Sequence, residues 1–292
     1  MSYLNITHPL NGLLCIGLGA GLGIYLNRRL RINWRFWWIG AAALILSQIG
    51  HLPFNLLGLN PLIEKYLPDL PGGLQIPLVA LVLGLSAGVF EEFTRYAVYR
   101  WWLKDARSWS RGLMFGAGHG GLEAILVGVV SLYSYIQLAS LKNVDLSSLV
   151  SANYLSLARE QVSWYWSMPW YDSLLGSMER LFTLPLHLCA ALLVLLAFTR
   201  KKFFWVWLAV GLHALVDALA VYLSQTTSIY AAELAIAILA ILEIGLIFYL
   251  RRYLPEPVID LPIPSAPPWS PVILQEIPET TETLEETRYQ KV

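Results

Sequence analysis

Charge is what this chain has least of. Asp, Glu, Lys and Arg make up 14% of 292 residues, while 57% are hydrophobic and the mean hydropathy is +0.55. So few charges cannot coat a soluble globule of this length. Twenty acids against twenty bases leave a net charge of zero, which gives no field to draw nucleic acid or an acidic substrate. Cysteine is nearly missing as well. Cys15 and Cys189 each stand in an apolar run without C-x-x-C spacing, which excludes a zinc ribbon and points to small packed side chains rather than a disulfide. No basic stretch precedes the first apolar run, because Arg28, Arg29, Arg31 and Arg35 all follow it. A first helix that is retained, not a cleaved leader, is therefore expected. The H-E-x-x-H zinc motif is absent, and so is the repeat symmetry of many secondary transporters.

What the chain does have is long apolar runs. Seven are long enough to span a bilayer of about 30 Å at about 1.5 Å per residue. They lie near residues 9–26, 35–57, 76–102, 111–139, 174–198, 203–223 and 229–250. The expected fold class is all-α, a polytopic membrane helix bundle of about seven transmembrane helices. Arginine and lysine follow the first, third, fifth and seventh runs, whereas the other side holds only Lys65, Lys142 and Arg159. The positive-inside rule then puts the N-terminus outside and the C-terminus in the cytoplasm, as an integral, multi-pass protein of the plasma membrane. Residues 1–254 are the expected transmembrane domain, and 255–292 a Pro-rich, acidic, disordered cytoplasmic tail. Residues 60–73, N-P-L-I-E-K-Y-L-P-D-L-P-G-G, read as a non-helical connector. The outer loop 140–173 reads as a short interfacial helix capped by Asp145 and anchored by Trp164, Tyr165, Trp166 and Trp170, with a lid over a site as the sharper reading.

Against this background the ionisable groups inside the runs stand out, since each Asp, Lys or Arg at mid-membrane costs about 2.5–3.5 kcal/mol even on lenient scales. Glu92 lies 12 residues before Lys104, and His119 lies 8 after Arg111. His187 lies 13 before Arg200, and His213 lies 11 after Lys202. These four residues from four helices therefore share a layer roughly 12–20 Å from the cytoplasmic boundary. Arg95 follows Glu91 by four residues and Glu92 by three, so it can pair with either. His119 with Glu123, and His213 with Asp217, are spaced four apart. Gly116, Gly118, Gly120 and Gly121 around His119 allow close approach of another backbone or a substrate.

Chemically, a carboxylate beside histidines suits activation of water, and histidines from separate helices could hold an oxyanion. Alternatively His119, His187 and His213 could bind a metal, zinc being the candidate, with an open position and Glu92 as base. Blander readings stand beside these. Glu92–Arg95 can be a structural ion pair, Glu179–Arg180 a buried pair near the outer face, and Asp217 a carboxylate that orients His213. His8 and His51 read as structural or interfacial, and Glu233 and Glu243 have no visible partner at the right depth.

Four stretches then resemble a known family: E-E-F-T-R (Glu91 to Arg95), F-G-A-G-H-G-G-L-E (Phe115 to Glu123), E-R-x6-H (Glu179, Arg180, His187) and H-A-L-V-D (His213 to Asp217). They look like the YhfC family of intramembrane proteases. That family is similar to the PrsW proteases and to the superfamily of CAAX-prenyl endopeptidases and bacteriocin-processing enzymes. The likeness covers about residues 80–220. It implies a peptide-bond hydrolase in which Glu91 and Glu92, tuned by Arg95, activate water with His119, while His213 and Asp217 stabilise the oxyanion. E-E-F-T-R has one residue fewer before the arginine than the prenyl endopeptidases, which keeps both glutamates as base candidates. Asp217 stands where they carry Asn, which keeps a metal open. The expected function is an intramembrane endopeptidase, glutamic or metallo in type, with the lipid bilayer and a membrane-embedded or membrane-proximal peptide or protein as its partners. The alternatives are a non-catalytic scaffold that uses the same polar layer for assembly, as one superfamily relative does, and a proton-coupled transporter.

Overall fold

A computed structural model of the chain describes residues 3–105, 107–254 and 256, so the expected tail lies outside the described residues apart from Glu256. Every regular element among the described residues is a helix. The seven membrane-length helices are α1 (Leu4–Leu30), α2 (Arg35–Pro53 and its continuation), α4 (Gly72–Trp101), α5 (Trp109–Leu141), α7 (Leu175–Thr199), α8 (Phe204–Thr226) and α9 (Ile229–Leu250). Each expected apolar run is one of them, and the protein is an integral, multi-pass membrane protein.

One expectation fails. The connector at 60–73 is helical as far as Asp69: α2 runs through a π-helical turn (Phe54–Leu59) into α3 (Asn60–Tyr66) and a 3-10 turn (Leu67–Asp69). Pro61 does not break it: it follows directly on the π-helical turn, where the Asn60 N–H still reaches back five residues to the Asn55 carbonyl, so the N–H it lacks falls at the change of hydrogen-bond register. The break comes at Leu70, which is extended (φ −86°, ψ 149°) ahead of Pro71 as a pre-proline residue prefers. In the outer loop Asp145 caps only a 3-10 turn, its Oδ1 accepting the Ser147 N–H at 3.0 Å. The interfacial helix α6 (Ala152–Ser167) starts separately after Ser151. Its C-terminal end is pinned to the bundle: Trp166 donates to the Leu138 carbonyl at 3.1 Å, Lys142 lies over the Trp166 ring, and Tyr165 stacks on His8 at 3.8 Å.

Lipid tails are as apolar as leucine, so helices in a bilayer associate by close packing, and small residues permit it. α5 is the clearest case. A methyl group at Gly118 would sit 1.9 Å from the Trp37 carbonyl oxygen of α2, and one at Gly116 would sit 2.7 Å from the His187 carbonyl oxygen of α7. On α4, Gly84 and Gly88 likewise meet the Ala214 and Val210 carbonyls of α8. α7 threads the centre, with almost every residue from Leu184 to Ala197 buried. These contacts bring α4, α5, α7 and α8 together at the depth of their ionisable residues.

Candidate active site

Neighbours on a helix face about 100° apart, and Glu91 and Glu92 accordingly serve different partners. Glu91 Oε2 accepts a hydrogen bond from His119 Nε2 at 2.9 Å, and its Oε1 accepts one from the Gln48 amide of α2 at 3.2 Å. Glu92, fully buried, accepts from Arg95 at 2.6 Å and from His213 Nδ1 at 2.8 Å, both on Oε1. Arg95, also fully buried, reaches beyond its own helix: its second terminal nitrogen lies 2.8 Å from His187 Nδ1 and 3.5 Å from Glu91 Oε2. The one arginine thus touches both glutamates and a histidine of α7. A guanidinium so enclosed persists only because two carboxylates surround it.

His213 Nε2 lies 3.8 Å from Glu91 Oε2 and 3.6 Å from Asp217 Oδ2. The carboxylate at hydrogen-bond distance from His213 is therefore Glu92, whereas Asp217 had been expected in that role. His187 Nε2 is 2.7 Å from Glu123 Oε2, and Arg180 bonds Glu123 as well as Glu179. Sequence reasoning left Glu123 unassigned and took Arg180 as a local pair with Glu179. Two spacings carried the missing signal: Glu123 stands one turn beyond His119, and Arg180 two turns before His187, on the same faces. Gln48 gave no signal, being a neutral amide. His51 keeps its structural role, stacked on Phe90 with Nε2 against Ser86 and Asn55. Glu243 of α9 is buried, and one of its oxygens has no hydrogen-bond partner among the described residues.

A cavity of about 80 Å³ opens beside this cluster, lined by Glu91, Glu123, Arg180, His187, His213 and Asp217 among others. It has room for water but not for a peptide. Larger grooves lie elsewhere, one of about 540 Å³ against Leu46, Phe90, Phe93 and Trp101, but that groove holds no titratable group.

The donors that converge are Glu91, His119 and His187, with one ligand atom from each within 4.8 Å of the others. This differs from the expected trio of histidines: His213 lies outside the group, its Nδ1 proton committed to Glu92. Two imidazoles and one carboxylate are a donor set of catalytic zinc sites, which keep a further position open, and the 2.9 Å between His119 and Glu91 is a separation that ligand bonds of about 2 Å can span. His119 Nδ1 is buried and has no hydrogen-bond partner among the described residues. The residues therefore fit a first-row divalent metal.

A family model described as "YhfC intramembrane metalloprotease" matches residues 13–252, a stretch that includes every site residue named above. Over 254 residues the chain is 30% identical to the "Uncharacterized membrane protein YhfC" of Bacillus subtilis (strain 168), an alignment covering 83% of this chain and 95% of that protein. No solved structure matches.

Proposed function

The chain belongs to the YhfC intramembrane metalloprotease family, and from that premise we propose that it is an endopeptidase hydrolysing a peptide bond of a membrane-embedded or membrane-proximal substrate. The observation that carries the proposal is convergence: ionisable side chains from α4, α5, α7 and α8 meet around one water-sized cavity inside the bilayer-spanning core. Groups so costly to bury are usually kept for function.

Glu91, His119 and His187 would hold the metal, zinc being the candidate. Such an ion, when bound, supplies a water of near-neutral pKa and a Lewis acid for the scissile carbonyl. The remaining chemistry falls to the chain. Of the two glutamates, Glu91 is the one that lines the cavity, as a ligand's role requires. Glu92 instead holds the Nδ1 proton of His213 and so presents Nε2 to the cavity. In this reading Asp217 takes a proton from water and passes it to His213 Nε2, 3.6 Å away, and His213 delivers it to the leaving nitrogen. Arg95, 2.6 Å from Glu92, holds that carboxylate in place.

One observation favours a second, glutamic reading: the Arg95 guanidinium already supplies positive charge within the cluster, 2.8 Å from His187. In that reading Glu91 is the base and His119 its partner. The test is cleavage of a single-span reporter peptide by purified protein in liposomes, with elemental analysis alongside. The metallo reading expects stoichiometric metal, loss of cleavage with a chelator, and loss of both in Glu91→Gln and His119→Ala. Metal-free, chelator-insensitive cleavage would select the glutamic reading. Cleavage untouched by either substitution would end the proposal, and partners that co-purify with an inert protein would support the scaffold.

A further inference from the structure

We infer that the basic end of α4 is a binding site for an anionic phospholipid: Arg100, Lys104 and Arg107 take its phosphate, and the apolar groove along α4 takes an acyl chain. The inference goes beyond the protease reading and does not depend on it.

Three cations here stand without acids. At the same membrane boundary Arg35 lies 3.4 Å from Asp105, and Arg251 lies 3.2 Å from Glu256. Among the described residues, Arg100, Lys104 and Arg107 form no such ion pair. Arg107 is held in place, its guanidinium 4.1 Å over the Phe198 ring and its Nη2 donating to the Tyr99 carbonyl at 3.0 Å. Its other terminal nitrogen, Nη1, is buried and has no hydrogen-bond partner among the described residues. A guanidinium has donors only, and its fork matches two oxygens of a phosphate. The three cations line one hollow of about 360 Å³ together with Trp101 and Phe198. α4 ends at Trp101, and the arginine and lysine asymmetry sets that end at the cytoplasmic surface. Basic pockets between membrane helices on that side suit anionic headgroups.

Phosphate alone would have no use for the groove that begins at the same residue. Trp101 also lines the apolar groove of about 540 Å³, with Ala97, Phe93 and Val89 deeper along it. Trp101 and Val89 are twelve residues apart, about 18 Å of helix, and one leaflet of hydrocarbon is about 15 Å deep. The groove thus has the reach of an acyl chain whose headgroup sits in the hollow. The chain's own acidic tail matches the charge of the hollow but not the groove, because carboxylates are costly in hydrocarbon.

The test is native mass spectrometry of the full chain in an uncharged detergent, titrated with phosphatidylglycerol or phosphatidylcholine. One phosphatidylglycerol per chain should be retained in preference to phosphatidylcholine. Arg100→Gln with Lys104→Gln removes two exposed charges and should weaken binding about 25-fold, from about 1 kcal/mol for each charge. Should that pair not fold, Lys104→Gln alone replaces it, with a loss of about fivefold. Arg28→Gln with Arg29→Gln removes as much exposed charge from the same surface, at the end of α1, and should leave binding unchanged. Ala97→Trp fills the groove and should cost about tenfold, the worth of about two buried methylenes. Equal retention of the two lipids overturns the inference. So does an equal loss in the α1 variant, which makes the attraction a property of the whole surface. Glycerol phosphate that displaces the lipid at equal concentration, or an Ala97→Trp protein that folds and binds as wild type does, overturns the lipid as occupant. A full chain that retains no phosphatidylglycerol, beside a variant with Glu276, Glu279, Glu282, Glu285 and Glu286 all replaced by Gln that does, assigns the hollow to the tail and overturns it too.

Discussion

Replacing Gly118 by alanine adds one methyl group at the tightest crossing of the bundle. Its carbon would lie 1.9 Å from the carbonyl oxygen of Trp37, 2.6 Å from the carbonyl carbon and 2.8 Å from the Cα, all of them backbone atoms. Ordinary contact for such a carbon begins near 3.4 Å, so α2 must retreat from α5 by about 1.5 Å. No side chain can swing aside to relieve this. Overpacking a well-filled interior costs about 1–3 kcal/mol, and a clash confined to backbone belongs at the upper end. The site would feel it too, because Gln48 on α2 holds Glu91 Oε1, and His119, the next residue on α5, holds Oε2. Thermal unfolding in detergent measures the effect, with Gly21→Ala as control: a methyl there meets nothing within 4 Å. The control should match wild type or gain up to about 1 kcal/mol from helix propensity. Gly118→Ala should lose stability or fail to accumulate as a monodisperse species. A Gly118→Ala protein as stable as the control would refute the close-packing account of how this bundle is held.

Further expectations follow from the same structure. Glu92→Ala leaves the Arg95 charge in the core without its nearest partner, a loss of about 3–5 kcal/mol. Glu92→Gln keeps an acceptor for Arg95 and His213 and should cost clearly less; equal losses in unfolding midpoints would show that Glu92 is not what compensates Arg95. Cys15 and Cys189 are free and fully buried, so a maleimide should label neither in the folded protein and both in dodecyl sulfate. Labelling at equal rates in the two states would contradict the packing of α1 and α7. A fluorescent-protein reporter fused after Arg252 should fold and fluoresce in the cytoplasm, in keeping with the arginine and lysine asymmetry; a dark fusion that an exported enzymatic reporter replaces with high activity would invert the orientation.

The layer of ionisable residues was legible because charge inside apolar runs is rare, and because counting residues from the flanking lysines and arginines gives depth. Glu92, His119, His187 and His213 do meet, and Arg95 does pair with both glutamates. What periodicity could not supply was which helix faces which. A spacing of four tells that His119 and Glu123 share a face, but not that the face turns toward His187. The contact of Arg95 with His187, and the exchange of His213 for Glu91 among the converging donors, depend on helix packing set by glycine contacts 70 or more residues apart in sequence. Gln48 was invisible for a different reason: a neutral amide near a helix centre carries no cost large enough to mark it. Pro61 misled because proline breaks a helix only where its missing N–H is required.

The cavity beside Glu91 also has a consequence in stoichiometry. At about 30 Å³ per molecule, a space of about 80 Å³ holds roughly two or three waters, and the hydrocarbon around the bundle supplies none. A hydrolase centred there would consume one of these few molecules with each bond cleaved. Under the hydrolase reading one water would have to enter this cavity for every bond cleaved.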